Sequence, residues 1–273
     1  MKKLVLLFLP FILFSSEIVW VHYNIPPVYI LNGKYKGEGY KELAEKEIMS
    51  HFKEYNSSIK ILPISRVFYE MKHHQNMCTG VLKTNKREEF LYFSKALNIL
   101  MPNGLIIRSE DYEKVKPYIK NNELNLEKFV KKSNFKIAVL PTRTYGKVID
   151  SVIQKYKNKM LKIYNFKDYL EMLKYKRFDA FFGYPTTIMY NSLIKQFNPD
   201  EFRYIKIKGN NFNIGYIACS KSEFSKKFIT KINKYIINHR TNSLLKYYLK
   251  WLDKNSADCV KKHAKEIFEK VDK

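Results

Sequence analysis

Arg87 stands in the run Thr84-Asn85-Lys86-Arg87, just past the apolar segment Met77–Leu82. A guanidinium is a rigid planar fork that meets a carboxylate through paired hydrogen bonds. With the hydroxyls of Thr79 and Thr84 nearby in sequence, the segment reads as a grip for a small planar anion. In a chain this rich in lysine, the competing reading is a solvent-facing arginine. A second cationic turn, Thr142-Arg143-Thr144-Tyr145-Gly146, joins a buried-strand pattern to a helical one. The first N–H groups of a helix lack intrahelical partners and favour negative charge, so Arg143 and Thr144 are expected to face an anion. An ordinary cap by Thr142 or Thr144 is the alternative. Tyr184, in Phe182-Gly183-Tyr184-Pro185, ends a strand where an aromatic can line a cleft, although Pro185 also reads simply as a helix start. Tyr23 ends the first strand and is the cleft candidate there, whereas Trp20 belongs in the core.

No catalytic set emerges. Ser, His and Asp form no recognisable arrangement, and Glu88-Glu89 are neighbours that do not face each other on a helix. His73-His74 fall at a helix end, are expected in solvent, and have no third ligand at a metal-site spacing. There is no glycine-rich phosphate loop. No enzymatic activity, cofactor or metal is expected. Cys78, Cys219 and Cys259 permit one disulfide and one leftover thiol, and all three pairings stay open on sequence alone.

Met1–Ser16 (MKKLVLLFLPFILFSS) has the three-part secretory pattern: Lys2 and Lys3, an apolar run, then two small residues. Leu4–Phe14 is short of the roughly 20 residues a membrane-spanning helix needs. Cleavage of this signal peptide after Ser15 or Ser16 and a periplasmic location are expected. The formal net charge of +24 would suggest nucleic acid in a cytoplasmic protein. Export argues against that partner, and the charge is mostly dispersed Lys. It reads as a solvated surface, or as attraction to anionic solutes or lipids.

The elements that must position these residues alternate. Ile18–His22 reads as a strand, followed by the stiff turn Ile25-Pro26-Pro27 and a helix from Tyr40 to Phe52. Strands at Ser58–Pro63 and Met77–Leu82 flank a helix after Ser65. Asp111–Phe129 reads as a polar helix. Phe135–Leu140, Met160–Tyr164, Phe178–Phe182 and Phe202–Lys208 are strand patterns separated by helices at 147–156, Phe166–Tyr175 and Thr186–Phe197. A strand at Asn211–Cys219 and three helical stretches close the chain. Such alternation favours mainly parallel sheets with helices on both faces. Two α/β units result, and strand ends and helix N-termini converge in the cleft between them.

This order resembles the type II extracytoplasmic solute-binding proteins, the family that includes the polar amino acid receptors of ABC importers. The likeness rests on YNIPPVYI with GKYKGEGY, on TGVLKTNKREEFLYFSKAL with Thr84, Arg87, Phe93 and Ser94, and on KRFDAFFGYP. The resemblance implies an α/β fold of two lobes, each a mainly parallel sheet flanked by helices, with the ligand cleft between them. Residues 17–107 would begin lobe 1, 108–208 would form lobe 2, and 209–273 would complete lobe 1, with hinges near Arg108 and Lys208. It implies that Arg87 grips a ligand carboxylate, that Arg143 and Thr144 approach from lobe 2, and that a monomer delivers its solute to an inner-membrane permease or sensor. Amino acid receptors bind the ligand amine with an Asp five positions after the Asp matched by Asp179. Here that position is Tyr184, which argues against an ordinary α-amino acid and for an anionic or carboxylate-bearing solute. In the implied fold the strand Asn211–Cys219 lies beside Met77–Leu82, making Cys78 and Cys219 neighbours. A sensory module, or less favourably a dehydratase or lytic enzyme on the same lobes, is the alternative.

Overall fold

The computed structural model describes residues 17–141, 143–164 and 169–272. The secretory pattern at Met1–Ser16 and Thr142 lie outside the described residues. The chain begins with β1 (Ile18–His22), α1 (Tyr40–His51), β2 (Ser57–Ile61), α2 (Ile64–His73), β3 (Met77–Leu82), the short α3 (Asn85–Glu88), β4 (Leu91–Phe93) and β5 (Asn98–Leu100). It continues with β6 (Gly104–Arg108), α4 (Tyr112–Val115), β7 (Ile119–Lys120), β8 (Glu123–Leu124), α5 (Leu126–Lys132), β9 (Ile137–Val139), α6 (Lys147–Lys155), β10 (Met160–Lys162), α7 (Tyr169–Lys174), β11 (Ala180–Gly183), α8 (Pro185–Lys195) and β12 (Phe202–Ile205). Last come β13 (Asn213–Ser220), α9 (Glu223–His239), α10 (Ser243–Leu249) and α11 (Lys254–Asp272).

The first sheet runs β2-β1-β3-β13-β4, with β5 also on β13. Its β2-β1-β3 half is parallel, while β13 is antiparallel to β3, β4 and β5. Period-two alternation splits its core. Ile18, Trp20 and Cys78 pack under α1 and α9 with Ala44, Ile48 and Phe228. Val21, Met77 and Val81 pack on the other face against Val67 and Met71 of α2. The second sheet runs β10-β9-β11-β6-β12, parallel through β10-β9-β11 and antiparallel at β6. Both of its faces are also covered. Two mixed sheets flanked by helices thus make two lobes.

Two sequence expectations change. Gly104–Arg108 pairs on both sides with lobe 2 strands, so the first crossing between lobes falls at Met101–Asn103 rather than near Arg108. Apolar Leu97–Ile107 looks continuous in sequence, but Pro102 interrupts it and the chain changes sheets there. The stretch 111–129 is not one helix. It contains a single turn of α4, then the β7–β8 hairpin, then α5. Pro117 stops the α-helix and sits in a closing 3-10 turn, Lys116–Tyr118, and Asn121 and Asn122, with φ of 53° and 61°, build the tight hairpin turn. The second crossing, after β12, returns the chain to β13. There α10 and α11 bury Trp251, Val260 and Phe268 in a third cluster that reaches Met189 and Tyr190 of lobe 2. Among the described residues, no helix is long and apolar enough to cross a membrane.

Candidate functional site

On lobe 1, the C-terminal ends of β1 and β3 and the N-terminus of α1 meet. After β1 the Pro26-Pro27 turn folds back so that Ile25 N–H donates to Tyr29 O at 3.2 Å. This sets the Tyr29 ring 5.2 Å from Tyr23 and 4.6 Å from His22. Tyr29 is fully buried. Its hydroxyl donates to Glu45 Oε1 at 2.5 Å and accepts from Gly80 N–H at 2.7 Å. His22 Nε2 lies 2.7 Å from Glu45 Oε2. The start of α1 is pinned by Glu42, whose carboxylate accepts from Gly39 N–H at 2.9 Å and Ile30 N–H at 2.7 Å.

One turn before Glu45 on that helix is Lys41, only 4% exposed. Its stem crosses Gly80, where a Cβ would sit 2.3 Å from Lys41 Cδ. Its ammonium makes no hydrogen bond or ion pair with any described residue, and burial lowers its pKa to about 7, against the opposing pull of Glu45 and with help from Arg87. Arg87 is half-buried. Its Cζ lies 4.1 Å from the Phe68 ring centre, and its Nη1 donates to Leu82 O at 2.7 Å. No described carboxylate pairs with it. Tyr23, raised to about 12 by burial, faces Arg87, which partly offsets that rise.

On lobe 2, Arg143 Cζ lies 5.0 Å from the Tyr145 ring and 5.8 Å from that of Tyr184. Its Nη2 donates to Asn103 Oδ1 at 3.2 Å. The Asn103 side chain, in the first crossing, also donates to Tyr145 O at 3.1 Å, and the Asn103 backbone carbonyl accepts from Asn210 Nδ2 at 2.7 Å. One residue thus ties both crossings to the Arg143 turn. Tyr184 is the residue just before α8 and lies toward Tyr40 and Tyr248 of lobe 1.

The expected residues therefore divide. Tyr23 and Arg87 come together on lobe 1, and Arg143 and Tyr184 come together on lobe 2. Thr79 lies below the surface, fully buried, its hydroxyl donating to Val21 O at 2.8 Å. β3 is an inner strand covered on both faces, so Thr79 has no route to solvent. Thr84 is exposed and starts α3, its carbonyl accepting from Arg87 N–H at 2.9 Å. Thr144 is exposed, and the anion expected at the α6 N-terminus is supplied by the chain itself. Asp150 Oδ1 accepts from Tyr145 N–H at 2.9 Å and Oδ2 from Gly146 N–H at 3.2 Å. Cys78 and Cys219 are joined in a disulfide that staples β3 to β13, and Cys259 is a free thiol. His73 and His74 are exposed. Asp179, the acid in FDAFF, is committed to Arg108 Nη2 at 3.0 Å. It lines a surface hollow of about 380 Å³ with Asp111, Lys114 and Tyr118, away from Arg87 and Tyr184. No cluster of three His, Cys, Asp or Glu suited to a metal occurs among the described residues.

Sequence reasoning missed Lys41, Glu45, Tyr29 and Phe68. The Lys41–Glu45 spacing alone reads as a solvent-facing pair, and it is the packing of α1, with Lys41, Ala44, Glu45 and Ile48 all buried, that turns it inward.

No family model and no curated protein sequence matches the chain. Solved structures do. The second substrate-binding domain of Lactococcus lactis GlnP, in an open conformation, aligns with a TM-score of 0.65 at 14% identity, over 87% of this chain and 95% of that one. The probable amino-acid ABC transporter extracellular-binding protein ytmK from Bacillus subtilis aligns at 0.64 and 17% identity, over 88% and 98%. A histidine kinase sensor domain similar to periplasmic binding proteins aligns at 0.57 and 14% identity, over 87% and 96%. The fold is that of the two-lobe type II periplasmic binding proteins.

Proposed function

We propose that the chain is an exported solute-binding protein that closes its two lobes over a small carboxylate-bearing solute and presents it to a membrane partner, an ABC-type permease in the first instance. The observation that carries this reading is the pair Lys41 and Arg87 on the lobe 1 floor, two cations with no carboxylate partner among the described residues. A desolvated, unpaired cation is costly, so a closed cleft favours an anion between the lobes. Arg143 and Tyr184 would meet the solute from lobe 2, with Tyr23 and Thr84 on the lobe 1 rim and Thr144 beside Arg143. Glu42 and Glu45, the acids on the first turns of α1, are each held by two hydrogen bonds from the protein, so neither is free to act as a general acid or base. That favours binding over hydrolysis or dehydration. Likeness to a sensor domain as well as to transporter receptors supports a sensor as the second choice of membrane partner.

The test is a calorimetric and thermal-shift screen of dicarboxylates, aromatic acids, amino acids, polyamines and sugars. Acids are expected to bind, and Arg87→Ala should weaken them by about 10- to 100-fold, the worth of hydrogen bonds to a charged group. A tight polyamine or sugar ligand indifferent to Arg87→Ala would overturn the reading.

A further inference from the structure

Lys41 has an environment that a purely structural lysine would avoid. It is 4% exposed, lies on the inward side of α1 at its cleft end, and uses the missing side chain of Gly80 to pass across β3. Its ammonium has no hydrogen-bond or ion-pair partner among the described residues, although Glu45 is one turn away. Glu45 cannot turn to it without giving up Tyr29 and His22, which already occupy one carboxylate oxygen each. The charged or titratable groups around Lys41 are Glu45 on its own helix, Arg87 on α3, Tyr29 in the turn after β1, whose hydroxyl shares the space over Gly80 with the Lys41 stem, and, through Glu45, His22 on β1. Tyr29 is held protonated by burial and by Glu45. The nearest mobile group that can settle the balance is therefore the ligand.

Resting on the binding reading above, we propose that Lys41 is a second ligand-binding cation beside Arg87, and that the site takes up its acid together with one proton from solvent, which Lys41 holds while the acid is bound. Without ligand, burial and the field of Arg87 push the ammonium toward the neutral amine near pH 7. A carboxylate arriving on Arg87 cancels that field and adds its own attraction, so Lys41 regains its charge. The solute class is then an acid with its negative charge close to the Arg87 fork, with a dicarboxylate suited to engage both cations. Uptake weakens as the pH rises and the proton becomes scarce.

The experiment is isothermal titration of the full mature chain with the dicarboxylate that binds best in the screen, at pH 6, 7, 8 and 9 and in buffers of different ionisation enthalpy. Above pH 7 the Kd of the wild type should rise by up to about tenfold per pH unit, with close to one proton taken up per acid bound. Lys41→Arg, whose side chain stays charged throughout, should bind with a flat pH profile and no proton uptake. Lys41→Met should bind weakly and also flatly. Acid binding that depends on Arg87 but shows the same pH profile in the wild type and both Lys41 variants would overturn this inference alone. Absence of acid binding at every pH would overturn the cleft reading as well.

Discussion

Lys41→Met should make the ligand-free protein more stable while impairing its binding. The native lysine is almost fully buried, and its pKa is near 7 instead of 10.5. At about 1.36 kcal/mol per pH unit, that depression corresponds to an upper bound of about 5 kcal/mol on what the folded state gives up at neutral pH. Part of that is returned by attraction to Glu45, which the variant loses, and methionine keeps the packing of the stem across Gly80. A net gain of roughly 2 kcal/mol is expected, or about 4–8 °C in Tm for a chain of this size. The sign with pH follows from proton counting. Between about pH 7 and 10.5 the unfolded chain holds the Lys41 proton and the folded chain does not, so wild-type stability rises with pH over that window. Below pH 7 both states hold the proton, and the full cost stays with the native fold. The variant's advantage should therefore be largest at pH 6–7 and shrink toward pH 10. Urea unfolding of both proteins from pH 6 to 9.5 measures it. A variant less stable than wild type at pH 7, or an advantage that does not shrink as the pH rises, would refute the reasoning.

Other outcomes follow from the same geometry. The Cys78–Cys219 bridge spans 141 residues of sequence and links the two central strands of lobe 1, so Cys78→Ser with Cys219→Ser should cost about 2–4 kcal/mol; unfolding unaffected by reductant would contradict this. Cys259, half-exposed and unpaired, should be the single thiol alkylated in the native protein. Asn103→Ala removes the side-chain hydrogen bonds that tie the first crossing to Arg143 and Tyr145, and should weaken acid binding about tenfold with little change in stability, as read by calorimetry alongside thermal unfolding.

Much of the fold was legible because its strands are short apolar runs punctuated by Gly, Pro and Asn. The stretch 111–129 was not. Its lysines suit a helix, but Pro117 and the left-handed pair Asn121-Asn122 decide otherwise. Arg87, Tyr23 and Tyr184 entered the candidate site because each follows a strand pattern in the sequence. Lys41 and Glu45 could not, because a Lys–Glu pair at i,i+4 ordinarily marks a solvent-facing helix surface. Only the packing of α1 over Gly80 and Tyr29 turns that face inward. Thr79 misled for the complementary reason: proximity to Arg87 in sequence says nothing about depth in a sheet covered on both sides.

The lobes are expected to close on an acid through Arg87 and Lys41. Small-angle scattering of the wild type and Arg87→Ala, with and without a saturating dicarboxylate, tests it most directly. The wild type should contract on adding the acid, and Arg87→Ala should not contract at the same concentration. An unchanged wild-type profile with bound acid, or equal contraction of both proteins, would contradict it.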